Sequence, residues 1–373
     1  MGSILIKQFS LLFLFLITVC CQKVSCKLHD AIVDAGFTGE SGTLVNNIPT
    51  YKTISEALAV IPGYNDKPFV VFISKGRYYE KLMVECSNLN LIGEDRDSTI
   101  ITFDANGDTP SPDGSPYGTW GCATLEIREP EFRAENLTIE NGFDYPANAL
   151  KSDDDPKKIK NPQAVALMTS ARNDKAVFKN CKISGFQDTL FPNSGRQYFY
   201  QCQISGHVDF IFGAGQAVFE QCDIISRNRI NKNPTGYITA PSTPISFPFG
   251  FLFTNCNFIK ESDEVPAGSV RLGRPWHPNA DHKVSGSAVF IHCFMDDHIG
   301  PEGYAKISSK DSTGQRIWFE VKEDSRFFEY SSYGPGEFVS SHRPVLDEYA
   351  AQWYNSENVL NGWKPDIEFQ EIF

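Results

Sequence analysis

Beyond its first 26 residues the 373-residue chain has no apolar run long enough to cross a bilayer, which takes about 20 residues. It also lacks a basic excess. Its 34 Lys and Arg stand against 46 Asp and Glu, a formal charge of −12. An acidic chain is a poor match for nucleic acid or an anionic membrane surface, and neither is expected as a partner. No two cysteines are spaced as CxxC, so a zinc site is not expected. No GxSxG elbow is present, which leaves a serine-hydrolase mechanism without support. Nothing in the sequence calls for a metal or an organic cofactor, and none is expected.

The first residues do contain one short apolar run, from Leu11 to about Val19, preceded by Lys7. Such a run is too short to span and fits a secretory leader over residues 1–26, cut between Cys21 and Cys26. Residues 27–373 then form a single exported domain carrying 32 basic and 46 acidic residues, a charge of −14. Seven cysteines remain outside the leader: Cys86, Cys122, Cys181, Cys202, Cys222, Cys256 and Cys293. An odd count leaves at least one thiol unpaired unless Cys26 is retained.

A phrase recurs through the second half of the chain: AVFKNCKIS, QYFYQCQIS, AVFEQCDII, FLFTNCNFI and AVFIHCFMD. A phenylalanine precedes each cysteine by three: Phe178, Phe199, Phe219, Phe253 and Phe290. Two after each cysteine come Ile183, Ile204, Ile224, Phe258 and Met295. FRAENLTI is an earlier copy, with Leu137 in the cysteine place and Ile139 two further on. The cysteines are 21, 20, 34 and 37 residues apart, so two insertions interrupt a period of 20–21. Short alternating strands with phase kept predict an all-β parallel β-helix, one period per coil. Thr53-Ile-Ser-Glu56 predicts a capping box opening a short helix that ends by Pro62 and covers the amino-terminal end of the solenoid. Residues 104–120 and 143–162 read as long polar loops, expected to wall a cleft. Stacked cysteines fill an interior as small apolar residues, or pair where coils adjoin; Cys202–Cys222 is the expected disulfide in an exported protein. Asn136-Leu-Thr138 is a glycosylation sequon, set within a strand phrase.

The same period places Asp188 and Asp209 at equivalent points, each seven residues after its cysteine. Equivalent residues of adjoining coils lie about 4.7–4.9 Å apart. Two close carboxylates do not both ionise cheaply, so one pKa rises while the other stays low, which suits an acid paired with a base or nucleophile. The plain alternative is two solvated turn aspartates. Gln163, Gln187, Arg274 and Trp276 also stand out. Each has a bland reading: a satisfied strand-end amide for the glutamines, a surface ion pair for the arginine, core for the tryptophan.

Taken together, QAVAL (163–167), SGFQDTLF (184–191), HVDFIFG (207–213) and LGRPW (272–276) resemble the signature segments of the pectin methylesterases, a family of right-handed parallel β-helices. Lys75–Glu80 and Tyr333–Gly336 resemble that family's early and late segments, so the resemblance covers roughly residues 30–365. The chain looks like the short form, without an inhibitor-like amino-terminal region. The resemblance implies hydrolysis of the methyl esters of pectin by a secreted monomer. It implies Asp209 as nucleophile, Asp188 as general acid and then base, Gln163 and Gln187 as oxyanion donors, and Arg274 as the partner of Asp209. Thr124, Phe191, Phe212 and Trp276 would contact the sugars. Met168 and Phe191 depart from the arginine and tyrosine usual in plant members, which touches substrate preference.

Two other functions compete. A β-helical pectin glycosidase or lyase needs carboxylates flanking a glycosidic bond, or a calcium site with a basic arginine. The acidic run Asp153–Asp155 lies in a lysine-rich loop instead. A catalytically inactive β-helix that only binds polysaccharide would tend to lose Asp188, Asp209 or Arg274, and all three are present.

Overall fold

A computed structural model describes residues 29–367, so the leader lies outside the described residues. Three sheets of twelve, eight and seven strands run the length of the molecule. Pairing within them is parallel except where Thr43–Val45 folds back on Ile48–Tyr51. Each coil gives one strand to each sheet. Ala176–Lys179, Lys182–Ser184 and Leu190–Pro192 form one coil, and Arg196–Tyr200, Gln203–Gly206 and Val208–Gly213 the next. This is the parallel β-helix that the repeat predicts.

The repeat residues stack in register. Phe178 pairs with Phe199, Phe199 with Phe219, Phe219 with Phe253 and Phe253 with Phe290. Their rings lie 4.5–5.1 Å apart and within 10° of parallel. The isoleucine column continues from Ile183 through Ile204, Ile224 and Phe258 to Met295. Both columns are buried and form the axis of the core. The residue before each cysteine, or before Leu137, turns the chain from the first sheet into the second. Asn136, Asn180, Gln201, Gln221, Asn255 and His292 hold φ between 48° and 54° there. That left-handed region favours residues whose side chains can bond locally, which accounts for the asparagines. Asn136 of the sequon is one of them, and its Oδ1 accepts from Asn180 Nδ2 at 2.7 Å.

The expected Cys202–Cys222 disulfide is not formed, and all seven described cysteines are free thiols. In-register parallel strands aim equivalent side chains the same way and hold them a strand spacing apart. A disulfide needs Cβ atoms about 3.5–4.5 Å apart and facing each other. Four of the thiols instead donate to the phenylalanine carbonyl of the preceding coil: Cys202 to Phe178, Cys222 to Phe199, Cys256 to Phe219 and Cys293 to Phe253, at 3.3–3.6 Å. Near the amino-terminal end, Ile54–Leu58 is helical, with Thr53 and Glu56 forming the capping box, and it buries Ile54 and Ala57. At the other end an antiparallel hairpin, Ile307–Lys310 with Arg316–Phe319, stands beside the seven-stranded sheet.

Candidate active site

Five neighbouring strands of the seven-stranded sheet carry the site: Leu167–Thr169, Leu190–Pro192, Val208–Gly213, Gly236–Pro241 and Val270–Gly273. Gln163 precedes the first. Gln187 and Asp188 lie in the turn before the second, Asp209 lies in the third, and Arg274 and Trp276 follow the last. Leu190 pairs with Ile211, and Asp188 N–H donates to Val208 O at 3.0 Å, so the two aspartates are neighbours on adjoining coils. Both have left-handed backbones, φ 62° at Asp188 and 48° at Asp209. Asp209 also sits where the register slips between Val208 and Ile211. A bulge and two strained non-glycine residues re-aim side chains that a regular strand would send elsewhere.

The electrostatics separate the two carboxyls. Arg274 Nε and Nη2 reach Asp209 Oδ1 and Oδ2 at 2.7 and 2.5 Å, a two-pronged ion pair. Tyr237, on the strand between them, supports the guanidinium at 4.1 Å from its ring. Asp188 is 8 % exposed. Burial pushes its pKa well above the usual carboxylate range, and the charge of Asp209 adds to the rise. Arg274 and a hydrogen bond from Gln187 oppose the shift without cancelling it. A buried acid with a raised pKa therefore lies beside one that is ion-paired to an arginine.

These groups share a cleft of about 320 Å³ with Gln163, Gln187, Phe212, Trp276 and, from outside the sequence expectation, Thr119, Trp120, Ile307 and Ser308. Trp120 is 55 % exposed, in the first of the long loops. An aromatic in a Gly/Pro/Ser-rich loop is a signal that could have found it; nothing local marks Ile307 or Ser308. Two expected contacts need correction. Phe191 is fully buried beneath the cleft, stacked on Phe212 at 4.0 Å and meeting Trp120 edge-on at 4.8 Å. It supports the aromatic wall from below. Thr124 is also fully buried, and its hydroxyl donates inward to Glu140 O at 2.9 Å. The strand alternation that fills the interior turns that side chain away, and Thr119 is the threonine of the cleft.

Among the described residues, Asp296, Asp297 and His298 bring possible metal donors within 4.8 Å of one another. They are not part of the cleft wall, and Lys260 already holds Asp297 at 2.9 Å.

The Pectinesterase family model matches residues 45–343. The chain belongs to the pectinesterase family. Pectinesterase A of Dickeya dadantii (strain 3937) is 43% identical over 355 residues, spanning 92% of this chain and 96% of that protein. A pectin methylesterase solved in complex with hexasaccharide VII superposes with a TM-score of 0.83 at 43% identity, covering 91% of this chain and 99% of that one. The pectin methylesterase from carrot gives a TM-score of 0.69 at 28% identity, over 90% and 93% of the two chains. The solenoid is thus that of a pectinesterase.

Proposed function

We propose that this pectinesterase hydrolyses galacturonate methyl esters through an Asp209-linked acyl intermediate, with Asp188 moving the protons. A carboxylate oxygen of Asp209 attacks the ester carbonyl carbon. The side-chain amides of Gln163 and Gln187 donate to the resulting oxyanion. As the tetrahedral adduct collapses, the C–OCH₃ bond breaks, and protonated Asp188 gives its proton to the departing oxygen, releasing methanol. The Asp188 carboxylate then takes a proton from water, which attacks the anhydride formed on Asp209. Breaking that bond frees the galacturonic acid group, which gives its remaining proton to solvent, and restores the Asp209 carboxylate, with Asp188 protonated again. The observation that carries this reading is the contrast between the Arg274-paired Asp209 and the buried, raised-pKa Asp188. A carboxylate is a weak nucleophile, and acid–base help of roughly 10²–10⁴-fold with an oxyanion donor worth roughly 10²–10³ supplies what it lacks. Phe212, Trp276 and Trp120 offer aromatic faces to the sugar rings.

The relative bound to a hexasaccharide supports an oligosaccharide-sized ligand in such a cleft. The leader sequence supports export, and the chain acts on polymer as a monomer. Methanol release from highly methylated pectin tests the reaction. The wild type should release it, and Asp188→Asn and Asp209→Asn should each lose at least about 10²-fold in kcat with the fold unchanged by circular dichroism. Full activity in Asp209→Asn would remove it as nucleophile.

A further inference from the structure

The turn Asp296-Asp297-His298 follows Phe294–Met295, the edge strand of the eight-stranded sheet, and none of its residues lines the catalytic cleft. Its backbone is fixed. Asp296 N–H donates to Phe258 O at 2.9 Å, and Ile299 N–H donates to Asp296 O at 3.1 Å. Gly268 N–H donates to Asp297 O at 2.8 Å, and Val270 N–H to His298 O at 2.9 Å. The late segment Tyr333–Gly336 packs on the same turn. Gly336 N–H donates to Met295 O at 2.9 Å, and a Cβ at Gly336 would collide with Asp296 O. A turn tied to its neighbours on both sides holds its side chains in one arrangement.

That arrangement gathers one nitrogen and two oxygen donors. A ring nitrogen of His298 and one carboxylate oxygen each of Asp296 and Asp297 lie within 4.8 Å of one another. His298 is fully buried. Its Nε2 meets the buried Ser226 Oγ at 3.1 Å, while Nδ1 has no hydrogen-bond partner among the described residues. An imidazole that gives Nε2–H to Ser226 keeps a bare lone pair on Nδ1, and a bond of that kind on the far nitrogen fixes the tautomer and orientation of ligating histidines. A buried acceptor without a donor costs free energy that a bound cation recovers.

The charges agree. Asp263 joins the two aspartates, and Lys260 is the ammonium that reaches Asp297 and Asp263. Lys260 Nζ lies 2.9 Å from Asp297 Oδ1 and bonds to Oδ2 at 3.2 Å, and Oδ1 itself accepts no aligned hydrogen bond. Asp263 Oδ1 is 3.2 Å from the same ammonium, so Lys260 keeps a carboxylate when Asp297 turns to a cation. Asp296 Oδ1 accepts the N–H of Asp297 at 2.8 Å, which engages one of its two oxygens. Both aspartates are half-buried, so the cluster opens to solvent on their side.

We propose that Asp296, Asp297 and His298 bind a divalent first-row transition ion of the Zn²⁺ type, which braces the carboxy-terminal coil and takes no part in ester hydrolysis. One imidazole with two carboxylates suits Zn²⁺ or Mn²⁺, whereas Ca²⁺ and Mg²⁺ take oxygen ligands. Water completes the coordination on the open side.

The test strips the exported chain with EDTA and titrates it with ZnCl₂ and, separately, CaCl₂, by calorimetry and by thermal melting. One Zn²⁺ should bind per chain and raise the melting temperature by a few degrees as its concentration rises, with Ca²⁺ at least about tenfold weaker. Asp296→Asn keeps an oxygen for the Asp297 N–H. It should weaken Zn²⁺ binding at least about tenfold while the metal-free melting temperature and methanol release stay at wild-type values. X-ray absorption of the loaded wild type should show an imidazole ligand that His298→Gln lacks. If the buried His298→Gln fails to fold, Asp296→Asn and the wild-type absorption spectrum still decide. No Zn²⁺ binding to the wild type, equal binding by Asp296→Asn, or a spectrum without imidazole would overturn the site. Methanol release lost on stripping and restored by Zn²⁺ would overturn its separation from catalysis.

Discussion

Asp188 is held in a state its own chemistry resists: a carboxyl buried beside a second carboxylate, on a backbone few aspartates adopt. In the proposed mechanism such a residue works for the reaction and against the fold. Its pKa is raised in the folded chain above the ordinary value of about 3.9. Above that pH the unfolded chain releases the proton while the folded chain keeps it, so stability falls as pH rises until the folded pKa is passed. Asn carries no such penalty. Asp188→Asn is expected to melt higher than the wild type at pH 7, and the two should converge below about pH 3.9. Thermal melts across pH measure this, and a variant less stable than the wild type at pH 7 would contradict the assignment. In the active enzyme, the acylation rate should fall as pH rises through the raised pKa of Asp188. At the same scale, the Arg274–Asp209 pair was legible as two motifs 65 residues apart. The ring of Tyr237 beneath the guanidinium was not, because it depends on which strand falls between them.

Among elements, the aromatic ladder carries the solenoid. Phe219 touches Phe199 on one side and Phe253 on the other, both nearly parallel to it, and is fully buried. Phe219→Ala should cost about 3–5 kcal/mol in denaturant unfolding, the range for emptying a large aromatic site. A loss under 1 kcal/mol would mean the coils repack freely. The ladder was readable because its register is the sequence period itself. The cysteine column was equally readable as a column, yet its chemistry was misjudged. Adjacency along the coil axis brings thiols near one another, but the parallel strands aim them alike, and the carbonyls of the preceding coil accept from them.

At the scale of the whole molecule, the carboxy-terminal segment closes the structure. Tyr354, Val359, Leu360, Trp363 and Ile367 cover the outer face of the long sheet against Tyr198, Val218 and Leu252. Arg343, whose side chain is fully buried, pairs with Glu329 on the last strand at 2.8 and 2.5 Å and also donates to Gly336 O. Glu329→Ala would strand the guanidinium in the interior. About 3–5 kcal/mol should be lost, seen as a lower melting temperature, with less loss in an apolar replacement of both partners. No local pattern announces this pair. Its members are 14 residues apart and acquire meaning only once both are enclosed.

The sequence by itself determined the coil. A side-chain period of 20–21 dictates parallel stacking, and stacking dictates that residues one period apart touch. For that reason the core columns and the neighbourhood of Asp188 and Asp209 follow from counting. The order of the four motifs carried the family. Only the tertiary structure decided which way each side chain faces and what closes over it. Thr124 points into the wall, Phe191 lies under the floor, and Trp120, Ile307 and Ser308 complete the cleft from loops whose lengths obey no period.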